Sequence, residues 1–195
     1  MKKMIFTICA AASIFFIGGN DTHAQSVTHS VVAGDTLYKL GQQYGVSATE
    51  IQRVNNKTSS MIMVGERLTI PSSISAAERD LLARLVRAEA EGEPYAGKVA
   101  VATVVLNRVA HRDFPNTVTG VINEVSNGFY AFSPVQNGRI NRAADQESIR
   151  AVNEALAFRG QGSGSLFFYN PTIATNHWNA TRTETVRIGN HVFSK

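Results

Sequence analysis

Residues 75–95 read SAAERDLLARLVRAEAEGEPY. The stretch opens with Ser75-Ala76-Ala77-Glu78, a capping box in which a serine and a glutamate three residues on satisfy the first orphan N–H groups of a helix. Leu82, Leu85 and Val86 then recur at i, i+3, i+4, the spacing of one helix face. Glu89 falls at i+7 on that face. At about 100° per residue it lies within roughly 20° of Leu82, whereas Glu91 points to the opposite side. A carboxylate that continues an apolar stripe is partly desolvated, which raises its pKa and suits it to be a general acid. The competing reading is a solvated helix end, the usual fate of glutamates. The helix is expected to end near Gly92, because Pro94 biases Glu93 out of helical backbone.

Further along, Val99 to Leu106 is apolar and rich in β-branched residues, so periodicity does not choose between a helix and a buried strand. Val118, Val121, Ile122 and Val125 read as a helix. So do Ile149, Val152 and Leu156, with Asp145 as the cap in front and Gly160 behind. Past Gly160-Gln161-Gly162-Ser163-Gly164 the pattern changes. Leu166 to Tyr169 is strand-like, and Thr185–Ile188 and His191–Phe193 flank Gly189-Asn190, a two-residue hairpin signal. Helices first and strands last predict an α+β domain over residues 78–195.

Before the linker at residues 72–77, the order differs. Val27 to Val32 alternates and reads as a strand stopping at Gly34-Asp35. Leu37, Leu40 and Tyr44 have helical spacing closed by Gly45. Ser47-Ala48-Thr49-Glu50 is a second capping box, opening a helix through Ile51 and Val54 to Asn55-Asn56. Leu68 and Ile70 form a closing strand that Pro71 terminates. Strand, helix, helix, strand therefore occupy residues 27–71. The short linker keeps this module close to the second domain.

The N-terminus reads as an export signal. Lys2 and Lys3 precede an apolar run from Met4 to Ile17, and Thr22-His23-Ala24 offers a small-residue cleavage site. The run is shorter than the ~20 residues a membrane span needs, so a retained anchor is the weaker alternative and no membrane insertion is expected after cleavage. Losing residues 1–24 removes Lys2, Lys3 and Asp21, which lowers the net charge of +4 by one. That mild excess suits a polyanionic surface, but no Lys/Arg cluster interleaves with aromatics to argue for nucleic acid. Cys9 is the only cysteine and lies in the signal. This excludes a thiol nucleophile and a disulfide framework in the mature chain. His111, His177 and His191 lack compact zinc-ligand spacing, and no G-x-S-x-G elbow is present, so no metal or cofactor is expected.

Residues 27–71 resemble a lysin motif (LysM) domain, through Val31 to Leu37 at the opening and Asn55 to Pro71 at the close. The resemblance implies a shallow groove for N-acetylglucosamine-containing glycans, formed by Gly34, Asp35, Thr36 and Leu37 with Ile62, Met63, Val64 and Gly65. The same residues also read as turn and cap chemistry. Residues 80–195 resemble the cell wall hydrolase family typified by spore cortex-lytic enzymes. The resemblance rests on Glu89 to Tyr95, Gly97 to Val101, Leu106-Asn107-Arg108-Val109, Phe114-Pro115, Gly120-Val121-Ile122, Phe132-Ser133, Gly138-Arg139-Ile140, Tyr169-Asn170-Pro171, Trp178 and Arg187 to Phe193. Glu91 departs from the family, which more often has Arg or Gly there, and the LysM partner replaces another peptidoglycan-binding module.

The second resemblance implies a distantly lysozyme-like domain that cuts the MurNAc–GlcNAc β-1,4 bond of cell wall or spore cortex with one glutamate, by position Glu89. Peptidoglycan glycan strands are then the partner and the cell wall or spore the location of a secreted protein. Glu93 stands as the runner-up acid and a substrate contact, or as a turn residue. Tyr169, Asn170 and Trp178 read equally as a saccharide-lining set or as packing, and Phe132 as core. Asp113 and Glu184, on loop-like segments, are the acids available to a two-carboxylate muramidase. A non-catalytic peptidoglycan-binding or spore-coat protein is the remaining alternative.

Overall fold

The computed structural model describes residues 26–159, 163–174 and 178–195. The expected signal at 1–24, the Gly160 cap and His177 lie outside them. The first module pairs β1 (Val27–Ser30) antiparallel with β2 (Arg67–Ile70), Val27 opposite Ile70. Between them lie α1 (Leu37–Tyr44) and α2 (Ala48–Val54). Thr36 caps α1, and Gly45 ends it in the left-handed region at φ 64°, where a side chain would be strained. The second box is only half formed: Ser47 accepts from the Glu50 N–H, while the Glu50 carboxylate turns to Arg53. Val31, Leu37, Leu40, Val46, Ile51, Leu68 and Ile70 make a separate small core.

The linker is minimal, and the stretch drawn at residues 72–77 includes the start of the next helix. Ala76 and Ala77 already belong to α3 (Ala76–Glu89), Ser75 is its cap, and Ile74 is buried in the core of the second domain. The Ser75 box forms in full. Glu78 also does a second job, accepting the Val118 N–H at 3.1 Å with its other oxygen. It thereby fixes α5 (Val118–Ile122) against the start of α3. The helix stops at Glu89, earlier than Gly92, which instead takes φ 87° in the turn that comes after it.

The ambiguous run from Val99 to Leu106 is helix, inside α4 (Tyr95–Ala110). Val101, Ala102, Val104, Val105 and Leu106 are all buried, so the helix is covered on several faces and shows no clean period. The expected helix over 118–125 is cut short. Val125 leaves it to form β3 (Val125–Ser126), paired with β4 (Phe129–Tyr130). Two short pieces come next, α6 (Ser133–Gln136) and a 3-10 turn at Arg139–Asn141, and then α7 (Gln146–Ala157), capped by Asp145.

The closing sheet has β5 (Phe167–Tyr169) and β6 (Glu184–Ile188) on either side of β7 (His191–Ser194), all antiparallel. Glu184 is thus a strand residue rather than a loop acid. The central strand is buried along its whole length, with Phe193 in the main core. Arg108 on α4 ties the sheet to the helices. Its Nε donates to the Leu166 carbonyl at 2.7 Å, and its guanidinium lies 5.0–5.4 Å from the rings of Phe114, Phe132 and Phe167. Burial lowers its pKa to about 10, so it stays charged and is held by aromatic faces.

Glu78→Ala removes the acceptor for the Ser75 cap and for Val118. Urea unfolding of the full chain should show a loss of about 1–3 kcal/mol, and Glu78→Gln should recover part of it.

Candidate active site

The three carboxylates of the 89–93 turn go to three different places. Glu89 is the last residue of α3 and is only partly exposed. Among the described residues its carboxyl has no hydrogen-bond or ion-pair partner. Burial pushes its pKa from 4.5 up to about 7, against the opposing pull of the Arg139 charge. A carboxylic acid in that range holds its proton near neutrality and can also release it, as a group serving alternately as acid and base must.

Glu91 projects the other way and accepts from Arg139 at 2.8 Å, with Arg142 at 3.7 Å. The loop carrying these arginines is held against α3 by Arg84, which donates to the Ile140 carbonyl, and by Arg87, which donates to that of Ala143. Ile140 is buried beneath it. The helix that ends in Glu89 therefore also positions the one cation whose field reaches it. Glu91 holds that cation in a compensated pair, away from direct contact with Glu89.

Glu93 docks on the β6–β7 hairpin, accepting from the Asn190 backbone N–H at 2.9 Å and its Nδ2 at 3.0 Å. Burial acts to raise its pKa, but the two Asn190 hydrogen bonds outweigh it and hold the carboxyl below its ordinary value. An acid committed in this way is a poor proton donor. The hairpin glycine is required by this contact: a Cβ on Gly189 would lie 2.1 Å from the Glu93 Oε2 and 2.7 Å from Pro94 Cδ. His191, two residues beyond that glycine, is buried among Phe168 and Phe193, and desolvation lowers its pKa. It packs as a neutral ring.

The other acids that sequence reasoning held in reserve are spent on the surface. Asp113 lies 3.5 Å from Arg112 and Glu184 3.4 Å from Arg187, all well exposed. Phe132 is in the core, 3% exposed, as expected. Tyr169 ends β5 with part of its surface open, on the strand face shared with Phe167. The Asn170 Oδ1 accepts the Thr172 N–H in the next turn. Trp178 is half exposed, edge-on to Phe167, with the Arg182 guanidinium 4.0 Å from its ring centre. No described hydrogen bond or ion pair links Tyr169 or Asn170 to Glu89.

In the first module the expected groove divides. Asp35 accepts from the Val32 N–H and from the His29 ring, which in turn contacts the Tyr44 hydroxyl at 2.9 Å. Thr36 caps α1, and Leu37 is buried in the core. These three side chains are engaged within the module, and the carbonyls of Gly34 and Thr36 are engaged as well, accepting from the Lys39 Nζ at 2.8 Å and the Leu40 N–H at 2.9 Å. On the other side of the expected groove, Ile62 packs on the core, whereas Met63 and Val64 are about 70% exposed and Gly65 turns at φ 85°. Among the described residues no three His, Cys, Asp or Glu residues group as metal ligands, and no helix is long and apolar enough to cross a membrane.

The profile of the cell wall hydrolase family matches residues 92–194, and that of the LysM domain residues 29–71. The chain belongs to the cell wall hydrolase family. It is 40% identical over 126 residues to a spore cortex-lytic enzyme of Bacillus cereus, a match that covers 65% of this chain and 47% of that protein. Against a solved structure, the catalytic domain of a germination-specific lytic transglycosylase from Bacillus anthracis, it has 39% identity and a TM-score of 0.58. That match covers 65% of this chain and all of the other. The catalytic domain of the SleB protein of Bacillus cereus gives 40% identity and a TM-score of 0.57, over 64% and 94% of the two chains. The chain spans less than half the length of the spore cortex-lytic relatives it matches, 36% to 47%.

Sequence reasoning singled out Glu89 and anticipated its desolvation, but gave no role to Arg139 or Asn190. Both stand in motifs shared with the family, and nothing in their spacing says which of three acids each will meet. Glu91→Gln removes one negative charge and leaves Arg139 uncompensated by it. Both changes favour the Glu89 carboxylate, so carbon-detected NMR titration should show the Glu89 midpoint move to lower pH.

Proposed function

We propose that the protein is a secreted lytic transglycosylase that cuts the MurNAc–GlcNAc β-1,4 bond of peptidoglycan, with Glu89 as the single acid and base. The observation that carries this reading is the state of Glu89: desolvated, without a bonded partner among the described residues, and titrating at about 7. Glycosidic cleavage needs a proton on the leaving oxygen and support for an oxocarbenium-like centre. Protonated Glu89 supplies the first. As the carboxylate it then draws a proton from the muramic C6 hydroxyl, whose oxygen closes on C1 to give an anhydro ring. The substrate thus provides its own nucleophile, which removes the need for a second carboxylate. This fits the commitment of Glu91 to two arginines and of Glu93 to Asn190.

Tyr169, Asn170 and Trp178 serve as sugar contacts, and the LysM module binds N-acetylglucosamine through the Gly34–Leu37 backbone and the exposed Ile62–Gly65 loop. The relatives' names concern spore cortex and germination. Their similarity supports a wall or cortex substrate for this chain.

Glu89→Gln should abolish muropeptide release from purified peptidoglycan while leaving pelleting with it intact; unchanged release removes Glu89 from the mechanism. Anhydromuramic ends in the product mass spectrum support the transglycosylase, and reducing ends a muramidase. Cleavage should decline as pH rises through about 7, where the acid is lost. The sign for stability is the same. The folded state holds a proton that the unfolded chain releases above 4.5, so stability falls between that pH and about 7. Glu89→Gln escapes this penalty and should be more stable than the wild type at pH 8, by up to about 3 kcal/mol, with the gap closing toward pH 5.

A further inference from the structure

We propose that the cleft between the two modules is a second binding site, which takes the carboxylates of peptidoglycan stem peptides. The inference rests on peptidoglycan being the substrate. The two modules are packed on each other: α1 lies against α7, with Tyr38 and Phe158 rings 5.8 Å apart. Beside that contact a cleft of about 630 Å³ opens, lined by Gln43, Tyr44, Ile70 and Pro71 from one module and Arg79 and Asn153 from the other. A smaller one of about 370 Å³ shares Gln43 and Asn153 and adds Arg150. Volumes of this size suit a small ligand.

The decisive feature is Arg79. Its guanidinium is half-buried and burial lowers its pKa, yet no carboxylate among the described residues pairs with it. The acids close to it in sequence or across the cleft are taken: Asp80 by Arg84 at 2.9 Å, Glu78 by the Ser75 box, and Glu154 by the Tyr95 hydroxyl at 2.8 Å. Arg150 likewise has no ion pair among the described residues. Among those residues the Arg79 guanidinium donates to the Asn153 Oδ1 at 2.6 Å, and Asn153 passes the contact on to the Gln43 carbonyl at 3.3 Å. One N–H is used and the fork is held in place, which leaves a preorganised donor set facing the cleft. The Arg79 guanidinium lies beside Gly45, at the C-terminal end of α1. Gly45 permits that approach, since a Cβ there would lie 2.2 Å from the Arg79 Nη1.

An unmatched guanidinium fork selects a carboxylate. In peptidoglycan the sugar rings are neutral and the lactyl carboxyl of substituted muramic acid is amide-linked, so the carboxylates lie on the stem peptides. Tyr44, Ile70 and Pro71 give such a peptide an apolar wall for its methyl and methylene groups.

The test is calorimetric titration of the full chain with the tripeptide L-alanyl-γ-D-glutamyl-diaminopimelate. Saturable one-to-one binding is expected, weakened at least about tenfold by Arg79→Gln and only partly restored by Arg79→Lys, which keeps the charge but loses the fork. The same peptide with its carboxylates amidated should bind the wild-type protein at least about tenfold more weakly than the free peptide does. That comparison does not depend on how the variant folds. Absence of saturable binding to the wild type overturns the proposal. So does equal affinity of Arg79→Gln, or of the amidated peptide. Glu89→Gln should bind the tripeptide as the wild type does, so a failure of the catalytic assignment leaves this result readable.

Discussion

A carboxyl group on the apolar face of a packed helix is stable only if it keeps its proton, and α3 is built around that constraint. Leu82, Ala83, Leu85 and Val86 are buried, and the stripe they form ends in Glu89. The other side chains of the helix hold its surroundings in place. Glu78 fixes its start and the start of α5, while Arg84 and Arg87 hold the loop that carries Arg139. The helix C-terminus, with its unsatisfied carbonyls, is also unfavourable for a negative charge. Desolvation raises the Glu89 pKa, and the Arg139 charge acts against it.

The neighbours of Glu89 show how three similar side chains acquire different chemistry. Glu91 finds two cations in water and Glu93 finds two N–H donors at a hairpin. Both are stabilised as anions. Glu89 finds neither. The division depends on the turn at Gly92 and Pro94, which sends successive acids toward the 138–142 loop and the β6–β7 hairpin. Glu93 and Gly189 belong together: the carboxylate occupies the space that any larger residue at 189 would need.

The module boundary carries its own constraint. A linker of two exposed or half-exposed serines, succeeded at once by buried Ile74, keeps the first module close to the second. It packs through α1, and the polar chain from Arg79 through Asn153 to Gln43 crosses the junction. The two modules are thereby held in one frame.

Much of this was legible in the chain because it rests on local chemistry. The Ser75 box, the Gly45 cap, the Gly189-Asn190 hairpin and the i, i+7 relation of Leu82 to Glu89 involve residues within a few turns of one another. The open reading of one run and the misreadings elsewhere had physical causes. α4 is buried on several faces, so its apolar run had no period, and Val125 fitted a helical spacing but was drawn into a hairpin with Tyr130. Glu50 met Arg53 before it could complete its box. By itself the sequence determined the helix-first, strand-last order and which acid lies on the apolar face. Tertiary structure alone decided that Arg139 belongs to Glu91, that Asn190 belongs to Glu93, and that Arg79 meets Asn153 rather than a carboxylate. Those pairings join residues 48, 97 and 74 positions apart, where no periodicity reaches and only packing sets the distance.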